Sequence, residues 1–276
     1  LKHEMIENIY TRRLHIVKYR GSKHGTNEYP FLIAKEGISI LPITSVEESR
    51  ISSDIISTGI RGLDDKIEKK GFYVGSSTLV SGASGVGKTS FSISVCMQAM
   101  KQKRRSLFFS FEESVPQLKR NMKSIGFDLD HYEKKGLLKI ISTRPSLFGL
   151  EAHLVLIYHY IDEFDPEVVI FDPVTDLIQV GPKTEVRGML LRIIDYLKSK
   201  LVTIVLTALV SFRENERNLG ISSLVDNWLY LDTIKSGRNR EQSIRITKIR
   251  GMNHTRMEYI LEFTPEGLQI KDIIEE

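Results

Sequence analysis

The sequence predicts an α/β fold in which helices flank a largely parallel central sheet. Two observations lead to this fold class. Short apolar runs, typical of buried parallel strands, alternate along the chain with longer segments of helical periodicity. One of these runs passes into a glycine-rich loop and then into a helix, an order that recurs at the carboxyl edge of parallel sheets.

The 276-residue chain has the composition of an ordinary globular protein, with 41% hydrophobic and 27% charged residues. Its net charge of +4 is spread along the sequence and gives little reason to expect a polyanionic partner. Cys96 is the only cysteine, which excludes an intrachain disulfide and a cysteine-based zinc site and fits a reducing compartment. No apolar run approaches the roughly 20 residues that span a bilayer. We therefore predict a cytoplasmic protein without a membrane partner.

A segment near the start of the chain returns near its end. Residues 13–40 align with residues 243–270 at a fixed offset of 230 without a gap, and ten of the 28 positions are identical. A match of this length predicts one structural unit that occurs twice.

We interpret the repeat as a sign of two tandem domains of similar size. On this hypothesis residues 1–40 are the last strands and hairpin of an upstream domain, and residues 41–51 are a polar linker. Residues 52–276 then form a complete second domain. The alternative is a duplicated pair of strands inside a single domain.

The glycine-rich loop, "GASGVGKT" at residues 82–89, matches the pattern G-x-x-x-x-G-K-[ST] between a strand-like run at 77–81 and a helix. Such a loop turns successive backbone N–H groups toward a phosphate. Lys88 would place its ammonium on the β- and γ-phosphates, and Thr89 would offer its hydroxyl to Mg²⁺. ATP and Mg²⁺ are the predicted ligands, and the predicted ATP contacts are Ser84, Gly85, Val86, Gly87, Lys88, Thr89 and Ser90.

A second apolar run at 168–171 ends at Asp172, as expected for a buried parallel strand that delivers a carboxylate to its carboxyl end. We predict that Asp172 serves the Mg²⁺ ion, through a water molecule. Further strands are predicted at 106–112 and 201–209. They alternate with helical patterns at 114–125, 150–164 and 184–199.

Glu112 and Glu113 follow the strand predicted at 106–112, close to the expected position of a γ-phosphate. A carboxylate there can take a proton from an attacking hydroxyl or water. Side chains alternate along a strand, so both cannot face a nucleotide while the extended geometry lasts. The alternative is a solvated acidic pair at the start of a helix, and the residues alone leave the two interpretations open.

Taken together, these segments resemble the KaiC family of RecA-type ATPases. The resemblance rests on "STGIRGLDD" (57–65), "GASGVGKT", "FSFEES" (109–114), "GFDLD" (126–130), "GLLKI" (136–140), the Asp172 strand and "KIRGMNH" (248–254). It implies a RecA-like P-loop NTPase fold that ends in a C-terminal β-hairpin, in a tandem of two such domains.

The family resemblance also implies roles for individual residues. Members assemble as six-membered rings with ATP between neighbouring subunits, so this chain is expected to form a homo-hexamer. Glu112 and Glu113 would act as general bases. Lys248 and Arg250 would reach the nucleotide of the neighbouring subunit, with His254 as a weaker candidate.

The second domain of these proteins also phosphorylates itself, in a segment of the form I-S-T-x-x-D. Here "ISSLVD" at 221–226 aligns with that segment and makes Ser222 and Ser223 the expected phosphoacceptors. A serine pair before a helix or strand is otherwise a routine cap. The loop at 210–220 is shorter and more charged than in clock proteins, and its Arg213 and Arg217 could pair with a phosphoserine.

Regulators of the family lead to two further expectations. A KaiB-like partner would use the first domain. The long tail that binds KaiA in clock versions does not follow the last hairpin here, which puts a KaiA-like partner in doubt.

The predicted function is therefore a ring-forming Mg-ATPase and serine autokinase, in a phosphosignalling or clock-like regulator. One alternative is a nucleic-acid-dependent motor, because recombinases and replicative helicases share the ATPase core. The loops expected to face a central channel, 178–187 and 211–220, mix lysine and arginine with glutamate, so nucleic acid is not an expected partner. The other alternative is a scaffold that binds ATP to assemble and display a partner surface.

Overall fold

A computed structural model describes residues 2–6, 9–21, 28–34, 37–40, 50–147, 149–210, 220–236 and 239–273. Its strands are β1 (Lys2–Ile6), β2 (Ile9–His15), β3 (Glu28–Ala34), β4 (Gly37–Ile40), β5 (Ile55–Ile56), β6 (Phe72–Tyr73), β7 (Ser77–Gly82), β8 (Ser106–Ser110), β9 (Leu138–Ser142), β10 (Val168–Asp172), β11 (Thr203–Leu209), β12 (Asn227–Ser236), β13 (Asn239–Ile249), β14 (Glu258–Thr264) and β15 (Gly267–Asp272). Its α-helices are α1 (Lys88–Lys101), α2 (Val115–Lys123), α3 (Leu129–Lys134), α4 (Leu150–Phe164) and α5 (Lys183–Ser199).

The main sheet has nine strands in the order β15-β14-β13-β12-β7-β11-β10-β8-β9. The strands from β12 to β9 in this order run parallel to one another, whereas β13, β14 and β15 are antiparallel to their neighbours. The predicted α/β fold, with its largely parallel sheet and C-terminal hairpin, is confirmed. The strand predicted at 106–112 is shorter than expected, because β8 ends at Ser110.

The central strands are buried on both faces. Along β10 the side chains alternate: Val168 and Ile170 belong to one hydrophobic cluster, and Val169 and Phe171 belong to the other. Helix α1 packs in the first cluster, and α4 and α5 pack in the second. This two-sided burial explains why the strands read as continuous apolar runs in the sequence.

The second sheet, β1-β2-β3-β4, repeats the pairing of β12-β13-β14-β15 residue by residue. Lys2 pairs with Arg13, and the residues 230 positions later, Asp232 and Ser243, also pair. The same holds for every pair described between β2 and β3 and between β3 and β4. The sequence repeat is therefore a repeat of strand pairing, and it extends to residues before the aligned segment begins.

Two further expectations concern other parts of the chain. Most of the predicted linker, residues 41–49, lies outside the described residues. Among the helices that the structure describes, none has the length and apolar character needed to cross a membrane.

Candidate active site

The loop between β7 and α1 is built around glycines. Gly82 has φ +156°, and a Cβ at this position would lie 2.2 Å from the carbonyl oxygen of Leu231 on β12. Gly87 has φ +99°, and a Cβ there would lie 2.7 Å from the Phe263 ring. Gly85, with φ +80°, faces open space. The loop thus packs against β12 and the hairpin in a conformation that side chains would block.

Lys88 is the first residue of α1 and is buried. Its Nζ donates a hydrogen bond to the carbonyl oxygen of Ala83 within the loop. Burial lowers the pKa of the Lys88 ammonium, while the negative charges of Asp172 and Glu112 act in the opposite direction. Burial makes a charged Lys88 costly unless a negative group lies beside it. A polyphosphate bound at this loop would supply that negative charge.

Asp172, at the end of β10, is held by two hydroxyl groups. Thr89 Oγ1 donates to its Oδ2 at 2.8 Å, and Thr207 Oγ1 donates to its Oδ1. Burial raises the pKa of the Asp172 carboxyl, and the two hydrogen bonds and Lys88 oppose that rise. The predicted pair of Mg²⁺ residues, Thr89 and Asp172, is therefore in direct contact.

This donor set suits Mg²⁺ when a nucleotide is bound. In the described parts of the chain, no three His, Cys, Asp or Glu side chains gather into a metal site. Mg²⁺ prefers six oxygen ligands and commonly takes most of them from water and substrate phosphates. Thr89 and Asp172 fit that role, because they offer a hydroxyl and a carboxylate beside the phosphate loop.

Both predicted general bases line the same cleft. Because β8 ends at Ser110, Glu112 and Glu113 lie in the turn that follows, where strand alternation no longer separates them. The cleft has a volume of about 350 Å³ and is lined by Ser84, Gly85, Gly87, Lys88, Thr89, Ser90, Glu112, Glu113, Asp172, Pro173, Leu209 and Phe263.

The two glutamates differ in their surroundings. Glu112 is exposed. Glu113 is half-buried, and its Oε1 accepts a 2.9 Å hydrogen bond from Asn121 Nδ2, while its Oε2 has no hydrogen-bond partner among the described residues. Burial raises the pKa of the Glu113 carboxyl, and the Asn121 hydrogen bond lowers it in part. Glu113 is thus a fixed carboxylate and Glu112 a solvated one.

Not every residue of the site follows from the sequence. Val86, a predicted ATP contact, has its side chain in the core at 2% exposure, so a contact from it would come from its backbone. Phe263, Leu209 and Pro173 line the cleft without having been predicted. Asp176 is not among the residues that line the cleft, but burial and the negative charges of Glu112 and Asp172 raise its pKa to about 6.

The predicted phosphoacceptors and trans cations lie together. Ser222 and Ser223 end a short 3-10 turn before β12. Lys248 Nζ donates to the carbonyl oxygens of Ser222, at 2.6 Å, and Val225, at 2.7 Å, and Arg250 Nη2 donates to that of Ser223 at 3.2 Å. Both cations therefore contact the serine segment of their own chain.

His254, the weaker candidate for a trans contact, has other partners. The backbone of His254 forms an isolated antiparallel β-bridge with that of Ile67, and its side-chain Nδ1 is 2.7 Å from the carbonyl oxygen of Thr255. Arg213 and Arg217 lie outside the described residues.

The serine segment and the phosphate loop occupy opposite ends of β7. The backbone N–H of Asp226 donates to the carbonyl oxygen of Ser77, at the start of this strand. The loop begins at Gly82, at its end. Five residue steps of an extended strand span about 16 Å. The serines of one chain therefore lie outside the cleft of that chain.

A parallel sheet that carries this loop after β7 and Asp172 at the end of β10 defines a RecA-like P-loop ATPase. A family model described as "ATPase: KaiC" matches residues 1–45 and 56–275. The chain belongs to the KaiC family of ATPases.

The chain is also similar to several curated proteins. It is 41% identical over 268 residues to "Circadian clock protein KaiC2" of Synechocystis sp., covering 95% of this chain and 47% of that protein. It is 31% identical over 265 residues to "Circadian clock oscillator protein KaiC 1" of the same organism and 32% identical over 265 residues to the KaiC oscillator protein of Acaryochloris marina, each covering 95% of this chain and 51% of the relative. The chain thus spans about half the length of the curated relatives that it matches.

Proposed function

We propose that this chain is a Mg-ATP-dependent serine autokinase that acts between neighbouring copies of itself in a ring. The observation that carries the proposal is the position of the serine segment at the opposite end of β7 from the phosphate loop. A head-to-tail contact brings opposite ends of two copies together, and such contacts generate rings when the rotation closes. The family resemblance suggests six members.

The phosphate loop, Lys88, Thr89, Asp172 and Glu112 each have a role in this reaction. The backbone N–H groups of the loop and the N-terminus of α1 hold the phosphates, and Lys88 neutralises part of their charge. Mg²⁺, held by Thr89 and by Asp172 through water, would stabilise the charge that develops during transfer. Glu112 accepts the proton of the neighbouring serine hydroxyl, whose oxygen bonds to the γ-phosphorus as ADP leaves. Water in place of that serine gives ATP hydrolysis.

The cations next to the serines support the same arrangement. Lys248 and Arg250 are bound to the carbonyl oxygens of the serine segment. A neighbour that received this segment in its cleft would receive two positive charges with it. An arginine so placed stabilises charge on a transferring phosphoryl group.

The first test is incubation of the purified protein with Mg-ATP, followed by intact-mass and peptide mass spectrometry. We expect phosphate on Ser222 or Ser223 in the original sequence and none in a Glu112→Gln, Glu113→Gln double variant. ATP binding with neither serine modified would contradict the autokinase and leave a ring-forming ATPase or scaffold.

A mixing experiment tests transfer between chains. A Lys88→Ala chain lacks the ammonium group that binds the phosphates of ATP but keeps its serines. A Ser222→Ala, Ser223→Ala chain keeps the complete cleft but lacks the phosphoacceptors. Neither variant alone should become phosphorylated, whereas in the mixture the Lys88→Ala chain should acquire phosphate. The unmixed original protein serves as the positive control. If it becomes phosphorylated and the mixture of the two variants does not, transfer between chains is excluded. Native mass spectrometry with a non-hydrolysable ATP analogue measures ring size.

We also propose that residues 1–40 are the last four strands of a preceding domain of the same kind. The identical register of the two four-stranded units supports this organisation. The gene upstream of the codon for Leu1 provides the test: a second phosphate loop encoded there is expected, and its absence would favour duplication within one domain.

A further inference from the structure

The hydroxyl of Ser223 already lies in an arginine's reach. Ser223 is exposed, and its Oγ accepts a 3.2 Å hydrogen bond from Arg187 Nη2 on α5 while donating to the carbonyl oxygen of Gly220 at 2.8 Å. Ser222 is half-buried, and the contact described for it is from its carbonyl oxygen to Lys248. The two adjacent serines therefore have different surroundings.

The guanidinium of Arg187 is held in place by the same turn. Its Nη1 donates to the carbonyl oxygen of Gly220. Gly220 has φ +59°, and a Cβ there would lie 2.6 Å from that Nη1. Glycine at this position therefore lets the guanidinium lie against the turn with one nitrogen on the backbone and the other on Ser223.

We infer that Arg187 is a clamp for a phosphate group on Ser223 of its own chain, and that it favours phosphate at Ser223 over phosphate at Ser222. This inference rests on the proposed phosphorylation of the serine pair. A phosphoserine carries nearly two negative charges and three acceptor oxygens, and the guanidinium fork binds such a group through two parallel hydrogen bonds. The clamp therefore stabilises one of the two possible products.

Further charged groups near the turn, among the residues that the structure describes, suit this role. Lys248, near the end of β13, and Arg250, just beyond it, add positive charge next to the serine segment. The negative charge of Asp226 is compensated, because its Oδ2 is 2.6 Å from Lys198 Nζ and its Oδ1 is 3.7 Å from Arg250 Nη1. The positive charges of Arg187, Lys248 and Arg250 therefore lie beside Ser223 while the negative charge of Asp226 is paired, an arrangement that favours an anion.

The test uses protein in which phosphoserine is incorporated during synthesis at position 223 or, as a matched control, at position 222. The second ionisation of each phosphate is followed by ³¹P NMR against pH. We expect the pKa at position 223 to be lower by roughly one unit than at position 222, and to return to the value at position 222 in Arg187→Gln. Arg192→Gln, which removes another arginine of α5, should change neither.

Arg187→Lys is a control for a folding defect, because it keeps the positive charge but loses the two-pronged guanidinium. In this variant we expect part of the pKa difference between positions 223 and 222 to remain. Equal pKa values at the two positions in the original sequence, or a shift at position 223 that survives Arg187→Gln, would overturn the clamp. Since the phosphate is introduced without ATP, these results are independent of autokinase activity. A clamp with no phosphorylation in Mg-ATP would refute the proposed function alone.

Discussion

Thr89 Oγ1 donates a 2.8 Å hydrogen bond to Asp172 Oδ2, which joins the first turn of α1 to the end of β10. Thr207 on β11 satisfies the other carboxylate oxygen. Helix α1 and strands β10 and β11 therefore converge on one buried carboxylate at the carboxyl end of the sheet, beside the phosphate loop.

Replacing Thr89 by valine should weaken both the stability of the protein and its use of Mg²⁺. The valine leaves a buried carboxylate oxygen without its donor, so we expect a loss of about 1–2 kcal/mol in the free energy of unfolding. We also expect Mg²⁺ to lose its enhancement of ATP affinity, measured by titration with and without EDTA. Thr89→Ser keeps the hydroxyl and should preserve both properties; a Mg²⁺ effect unchanged in the valine variant would argue against this site.

Lys88→Met keeps most of the side-chain volume and removes the charge. We expect ATP affinity to fall roughly 10- to 100-fold, as for loss of a charge-assisted hydrogen bond. Because burial lowers the pKa of the Lys88 ammonium, the nucleotide-free protein bears a cost for its charge at neutral pH. Urea unfolding without ATP should therefore show equal or higher stability. A large loss of stability with intact ATP binding would contradict the assigned role.

Two glycines of the loop provide a matched pair for stability. Gly82→Ala places a methyl group 2.2 Å from the Leu231 carbonyl oxygen, whereas Gly85→Ala meets no atom within 4 Å. Both residues have positive φ, so both variants carry backbone strain. We expect a loss of about 2–4 kcal/mol for Gly82→Ala and about 1 kcal/mol for Gly85→Ala. Equal losses in thermal unfolding would mean that close packing on β12 adds nothing.

The hydrogen bond from Asn121 should tune Glu113. Removing it in Asn121→Ala takes away an interaction that lowers the Glu113 pKa, so that pKa should rise. If Glu113 must be ionised for activity, the acidic limb of the pH–rate profile for ATP turnover moves to higher pH. The shift should vanish when Asn121→Ala is made in a Glu113→Gln background; a shift that persists there would assign the limb to another group.

The ionisation of Asp176 should make the free energy of unfolding of the protein depend on pH. Burial raises its pKa from 3.8 to about 6, so its ionisation disfavours the folded state. This loss of folding free energy is absent when the pH lies below the pKa of Asp176 in the unfolded state. It grows as the pH rises from that pKa to the pKa in the folded state, and it is complete at higher pH. In Mg²⁺-free buffer, Asp176→Asn should raise the free energy of unfolding by about 1 kcal/mol near neutral pH, allowing for solvent screening. No gain should remain near pH 4, and an equal gain at both pH values would contradict this account.

Local signals made much of the fold predictable from the sequence. The strand, loop and helix around Lys88 follow from glycine spacing and apolar periodicity, which depend on neighbouring residues. The position of Asp172 follows in the same way, because a buried parallel strand delivers its last residue to the sheet edge. The shared cleft of Glu112 and Glu113 followed only from the family resemblance, since periodicity along the chain does not show that β8 ends at Ser110.

Contacts between distant segments explain the other omissions. The Phe263 ring reaches Gly87 because the C-terminal hairpin docks on the loop, and no pattern near residue 263 encodes that docking. The separation of Ser223 from Lys88 requires the strand order, with β12 beside β7. Lys248 and Arg250 both reach the serine segment of their own chain, although Arg250 lies one residue beyond β13.

The two four-stranded units amount to a natural substitution experiment within a single polypeptide. Most positions of the aligned segments differ, yet the backbone pairs in the same register. The turn glycines are kept, and Gly37 and Gly267 have nearly the same φ, +117° and +116°. The strand register is thus kept although most residues differ, while the surfaces that the strands present are free to diverge. Two such units in one molecule can therefore acquire different partners without any change of architecture.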